Sequence, residues 1–183
     1  MTMRSLMLIF LLAVTSATAQ DTFPPLLANK PDPEHRDKLM LFGQFIGSWN
    51  YAATAYHDDG TRETSEGEIH FHWILQGRAV QDVWSAKSQS NAEAKPYGTT
   101  VRFYDPKSDT WKSTWISPVA GVVFPMTARQ VGSEIVIEGT NSSGKLVHWI
   151  FSDIASNSFR WHAERLVDGK WHTYEDLTVK RMN

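Results

Sequence analysis

The chain contains no cysteine. No disulfide can staple the fold and no thiolate can act as nucleophile or soft metal ligand. A lipid-anchored leader, which needs cysteine at its cleavage site, is excluded as well. Neither sign of charge dominates: 18 Lys and Arg stand against 20 Asp and Glu, a formal charge of −2. A nucleic-acid or anionic-membrane surface would show a basic stripe, so neither partner is expected. Long apolar runs are missing too. The longest, Leu6–Val14, is well short of the roughly 20 residues that cross a bilayer, and no membrane insertion is expected. There is no G-x-S-x-G elbow and no glycine-rich phosphate loop, which removes the usual signs of serine hydrolases and nucleotide enzymes.

What stands at the N-terminus is a leader pattern. Arg4 is its basic region, Leu6–Val14 its apolar region and Ala17-Thr18-Ala19 its cleavage motif. The expectation is a signal peptide over 1–19, cut between Ala19 and Gln20, and export to the periplasm or the medium. Residues 20–33 hold Pro24, Pro25, Pro31 and Pro33 and should form an extended lead-in. Residues 34–183 then form one domain. At about 160 residues the mature chain can bury roughly two-thirds of its unfolded surface without cross-links. Eight Trp, nine Phe and five Tyr supply the core.

Asp32 suits a helix N-cap, with Pro33 at the first helical position and Glu34 favourable to the dipole. Leu39, Phe42 and Phe45 recur at three-residue spacing. This short helix is expected either across one end of the fold, as a lid or plug, or against its outside. After Gly47 the periodicity becomes two. Ten strand-like runs follow: 49–57, 62–75, 78–87, 98–105, 110–117, 122–130, 134–140, 145–153, 158–167 and 170–180. Turn residues separate them, with 88–97 as a longer polar loop. Consecutive hairpins of this kind describe an all-β, ten-stranded antiparallel up-and-down barrel, since closure removes the exposed edges. A sandwich is the alternative.

Turn length sets which face lies inside, because a one-residue slip exchanges the faces. The two Asp-Gly turns can each be two-residue or three-residue loops. The three-residue reading separates apolar from polar better, and pairs His57 with Thr61 and Val167 with Trp171, and Ala163 with Glu175. A two-residue Gln76-Gly77 turn puts Ile69 beside Trp84. A four-residue 106–109 loop puts Tyr104 beside Trp111 and Arg102 beside Ser113. All eight Trp then share the inner face. The same parity carries Asp82, Arg102, Tyr104, Arg165 and Glu175 inward, with Tyr51 nearby. Buried charges need partners, so Arg102–Asp82 and Arg165–Glu175 are expected as internal ion pairs, or as charges at the rims.

Glu68, His70 and His72 share one strand face at a spacing that zinc and other imidazole-binding metals use. Parity puts that face outside, so no metal is expected there. His162 and His172, the histidines nearest a haem position, also fall outside, and no cofactor is expected. Asp82 or Glu175 in an aromatic cavity has the character of an acid–base residue whose proton affinity is raised.

Phe45-Ile46-Gly47-Ser48-Trp49 after a short helix resembles the G-x-W entrance of lipocalin-like (calycin) barrels. Ile74-Leu75-Gln76-Gly77-Arg78 with Asp82 and Trp84, then Arg102-Phe103-Tyr104-Asp105-Pro106 with Trp111 and Trp115, resemble domain-of-unknown-function family 1579. The resemblance spans about Leu39 to Arg181. It implies a calycin-like barrel and brings no reaction or catalytic residues. The chain lacks the C-terminal helix and disulfides of true lipocalins and ends on a strand, closer to ten-stranded fatty-acid-binding or nitrobindin-like barrels. The parity of His162 and His172 keeps the nitrobindin haem histidine from being carried over.

The function expected is binding of a small, largely apolar or aromatic molecule within the barrel. Trp49, Trp84, Trp115 and Trp161 would be its walls, with Asp82, Arg102, Tyr104 and Arg165 as polar contacts. The alternatives are a cofactor-independent isomerase, cyclase or hydrolase using Asp82 or Glu175, a haem- or metal-binding barrel, and a filled barrel acting only through its surface.

Overall fold

A computed structural model describes residues 27–183 apart from 89, 90 and 142. The expected leader and most of the lead-in lie outside the described residues. Ten antiparallel strands close one barrel in sequence order. They are β1 (Gly47–Tyr56), β2 (Arg62–Ile74), β3 (Ala79–Ser88), β4 (Asn91–Asp105), β5 (Thr110–Ser117), β6 (Val122–Val131), β7 (Glu134–Thr140), β8 (Leu146–Ser152), β9 (Ser158–Val167) and β10 (Lys170–Arg181). Closure comes from β1 on β10, where Tyr51 faces Val179 and Ala53 faces Leu177. The expected loop over 88–97 is mostly strand. Bulges beside Trp84 and Ala86 let β3 and β4 stay paired out to Ser88 and Asn91.

Most of the expected register is present. The His57 N–H donates to the Thr61 carbonyl, Trp49 faces Ile69, and Tyr51 faces Gly67. Ile69 faces Trp84, Tyr104 faces Trp111, and Arg102 faces Ser113. The last hairpin differs. Val167 pairs with Lys170, and Trp171 with Leu166. Asp168 and Gly169 form a two-residue turn with φ of 50° and 74°, the left-handed pair that suits strand twist. A bulge between Thr173 and Glu175 then restores the expected Ala163–Glu175 and Trp161–Leu177 pairs. The slip holds only between turn and bulge. It turns Trp171 outward, stacked on His148 at 3.6 Å, so seven of the eight Trp, not all, line the inner face. It also sets His172 opposite Arg165, on the barrel-facing side at the rim and exposed, where the outer face was expected.

One end of the barrel is stoppered. Asp32 caps a 3₁₀ turn (Pro33–His35) through the Glu34 N–H at 2.9 Å, and α1 (Arg36–Gly43) follows. Leu39, Phe42 and Phe45 are buried. Phe42 meets Trp111 of β5 and Phe151 of β8, and Phe45 meets Phe71 of β2 and Phe159 of β9. Rings that touch strands all round the wall belong to a plug, which decides against a helix laid on the outside. Arg181 ties the plug down, donating to the carbonyls of Ile46 (2.8 Å), Gln44 (3.1 Å) and Ser156 (2.9 Å) while its guanidinium covers Trp49 at 4.0 Å. Gly47 lies between them at φ 124°, where a β-carbon would press on the Arg181 guanidinium.

Candidate functional site

The inner face changes in size along the barrel. Near the plug it carries Trp49, Phe71, Trp111, Phe151 and Phe159, all buried. Toward the other end β1, β2, β3 and β9 offer Ala55, Ser65, Gly67, Ala86 and Ala163. A cavity of about 510 Å³ opens at this mouth, with Ser65 and Ala86 in its wall, within the range of small-molecule sites. Its walls are Tyr51, Trp84, Tyr97, Trp115, Phe124, Trp149, Trp161 and Tyr174, with Ser65, Ala86, Asn141, Arg165 and Glu175.

Four indoles make a closed circuit. Trp84 meets Trp115 at 6.4 Å, Trp115 meets Trp149 at 5.6 Å, Trp149 meets Trp161 at 5.6 Å, and Trp161 meets Trp84 at 5.4 Å. Interplanar angles of 59–87° make these edge-to-face or tilted contacts, the favoured geometry for aromatic quadrupoles. The indole of Trp115 approaches β4 at Gly98, where any β-carbon would overlap it. The indole N–H groups of Trp84 and Trp149 are engaged inside the protein, donating to Asp82 Oδ1 (3.0 Å) and the Tyr174 hydroxyl (3.1 Å). Tyr51 donates to the Ser85 carbonyl at 3.2 Å.

Glu175 is the distinctive polar group. Its strand neighbours are Ala55 and Ala163, too small to reach its carboxyl. Burial alone pushes its proton affinity up. The expected ion pair with Arg165 is not formed. The bulge in β10 and the short final turn leave Arg165 beside Asp58 of the β1–β2 turn, with its guanidinium 5.7 Å from the Tyr174 ring. Burial also raises Tyr51, Tyr97 and Tyr174, and the Glu175 carboxylate adds to each.

These shifts set a pH dependence. With its folded-state pKa above the ordinary glutamate value of 4.5, Glu175 retains its proton in the folded state over a range where the unfolded chain has lost it. Its contribution to stability therefore falls as pH rises from about 4.5 through the folded value. Glu175→Gln should melt higher than wild type at pH 8, by about 2–4 °C for about 1 kcal/mol, and match it near pH 4. Thermal melts at the two pH values check this, and equal melting at pH 8 would show a solvated carboxylate.

Of the residues expected at the site, Trp84, Trp115, Trp161, Arg165 and Glu175 line the cavity. Trp49 is in the core, donating from Nε1 to the Phe45 carbonyl at 2.7 Å. Asp82 and Arg102 do form the expected ion pair, but both are wholly buried between the indole circuit and the plug, out of a ligand's reach. Asp82 accepts there from Arg102 Nη1, the Thr100 N–H and Trp84 Nε1. Tyr104 lies at the stoppered end and donates to Asp109, which also binds Lys38 of α1, so it latches the helix and does not face the cavity. His70 and Glu68 bond each other at 3.3 Å on the outer face, and His72 is exposed. Among the described residues no three His, Asp or Glu side chains gather at ligand spacing.

Tyr97, Phe124, Trp149 and Tyr174 were not among the expected site residues. Phe124 was legible: a four-residue 118–121 loop, treated like 106–109, sets it beside Trp115. Tyr97 was hidden by the supposed loop and Tyr174 by the bulge.

No protein-family model matches this chain, and no curated protein matches it. Among solved structures, the S-type phycobiliprotein lyase CPES from Guillardia theta is similar at 14% identity and a TM-score of 0.55, over 79% of this chain and 92% of that one. Rv2717c from M. tuberculosis is similar at 12% identity and 0.57, over 84% and 100%. The fold is a calycin-like β-barrel. Identities this low speak for fold alone, and no family model shows the resemblance to domain-of-unknown-function family 1579.

Proposed function

We propose that this barrel binds a small, largely apolar or aromatic molecule in the mouth cavity, and that it does so as an exported protein freed of residues 1–19. The observation that carries this is the cavity itself. The barrel packs buried aromatic rings around its plug, yet leaves about 510 Å³ walled by indole and phenol rings at the other end. A barrel serving only as a surface scaffold has no use for such a space, which costs dispersion contacts and cavity energy. A related fold carries a phycobiliprotein lyase, so fold alone does not choose between binding and catalysis. The site favours binding: its walls are mostly aromatic, and the titratable groups among them are Glu175, Arg165 and the hydroxyls of Tyr51, Tyr97 and Tyr174. The acid–base role considered for Asp82 has no route to a ligand, and Glu175 is the group left to hold it.

Native mass spectrometry of the protein as purified tests both parts of the proposal. The protein should have a mass beginning at Gln20 and carry a retained small molecule, lost on denaturation. An intact Met1 would overturn the export proposal. No adduct, together with no uptake of any aromatic probe, would overturn the binding proposal.

A further inference from the structure

We propose that the ligand of this cavity is an organic cation: an apolar or aromatic amine whose protonated nitrogen meets Glu175 while its hydrocarbon body lies among Trp84, Trp115, Trp149 and Trp161. This rests on the cavity being a binding site, and adds the charge of what it binds.

The charges around the cavity point one way. Arg165 is the cation at the rim, and it is already held by Asp58 and by the face of Tyr174. Arg102 is sealed beneath the indoles with Asp82. Glu175 remains, with no hydrogen bond or ion pair from the described residues and alanines at both flanking strand positions. A carboxylate held in an apolar cavity is unfavourable until a counter-charge joins it. The groups its charge acts on are the hydroxyls of Tyr51 on β1, Tyr97 on β4 and Tyr174 on its own strand. None carries the positive charge that would neutralise it.

The walls select in the same direction. Aromatic faces are negative at their centres and attract cations, and rings grouped around a carboxylate form the cage used for ammonium recognition. An anion would need donors. The N–H groups of Trp84 and Trp149 are engaged with Asp82 and Tyr174, and Trp161 Nε1 is buried away from the open space. An anion would meet the negative charge of Glu175, while Arg165, the cation among the lining residues, is already paired with Asp58.

Calorimetric titration with three probes of one shape separates the possibilities: 2-naphthylmethylamine, 2-naphthylmethanol and 2-naphthoate at pH 8, where the amine is largely protonated. The amine should bind about tenfold more tightly than the alcohol, the increment of one charge-assisted contact, and the carboxylate should bind weakest. In Glu175→Gln, confirmed folded by its melting curve, the amine and alcohol affinities should converge to within about threefold. Equal binding of amine and alcohol by the wild type, or tightest binding of the carboxylate, overturns the cation assignment and leaves cavity binding standing. Binding of none of the three overturns both.

Discussion

Arg102→Ala is expected to lower the unfolding free energy by about 3–5 kcal/mol, the usual result of stranding one member of a buried ion pair. For a domain of this size that is a fall of about 6–20 °C in melting temperature. Arg102 and Asp82 have no exposed surface, and the guanidinium stands 5.0 Å from the Phe42 ring centre and 6.0 Å from that of Phe151. Without Arg102, the Asp82 carboxylate keeps the Thr100 N–H and Trp84 Nε1 but loses its counter-charge. It must then take up a proton or admit water to the core. The pair itself is not well provided for. Arg102 Nε and Nη2, Thr100 Oγ1 and Ser113 Oγ have no hydrogen-bond partner. Replacing both charges should therefore cost much less than removing one. Asp82→Asn with Arg102→Met keeps an acceptor for Trp84 and Thr100, fills similar volume and should lie within about 2 kcal/mol of wild type. Urea unfolding of wild type, Asp82→Asn, Arg102→Met and the double variant gives the coupling. A loss below about 1 kcal/mol in Arg102→Ala would mean that the pair is hydrated and the indole circuit no seal.

Phe42→Ala should cost about 3–5 kcal/mol, since it empties the centre of the plug. Phe42 is wholly buried, edge-on to Trp111 at 4.8 Å, and touches both Phe45 and Phe151. Its loss also removes the ring from over Arg102, so the two sites should couple in a double-mutant cycle. Met40→Ala, two residues away on the exposed side of the same helix, is the control and should change stability by less than about 0.5 kcal/mol. Comparable small losses in both variants would mean that α1 rests on the barrel without entering it.

Both effects trace to residues whose roles differ in how far the sequence revealed them. Asp82 and Arg102 were legible as a pair because parity through the Gln76-Gly77 turn and the 106–109 loop carries both inward. Phe42 was legible as apolar and helical, but not as a plug, because spacing along a helix says which side is buried and nothing about what buries it. The last hairpin is instructive in another way. Two-residue and three-residue Asp-Gly turns are both well-populated solutions, and the first hairpin takes one where the last takes the other. Assigning the inner face by how well it separates apolar from polar residues favoured Trp171 inside. The bulge at Tyr174 allows the short turn and the correct register of Glu175 and Leu177 together. It is also what parts Arg165 from Glu175 and leaves that carboxyl without a partner.

The sequence by itself determined the ten-stranded meander and most of its inner face, while the pairing of β1 with β10 settled closure against a sandwich. Alternation and turn chemistry are local, and each hairpin carries its own record of them. Only the tertiary structure decided where the barrel is full and where it is hollow. That depends on side-chain volumes summed around the circumference at each level, from strands up to 130 residues apart. Trp84, Ala86, Trp115, Trp149 and Trp161 mean little singly and wall a cavity together.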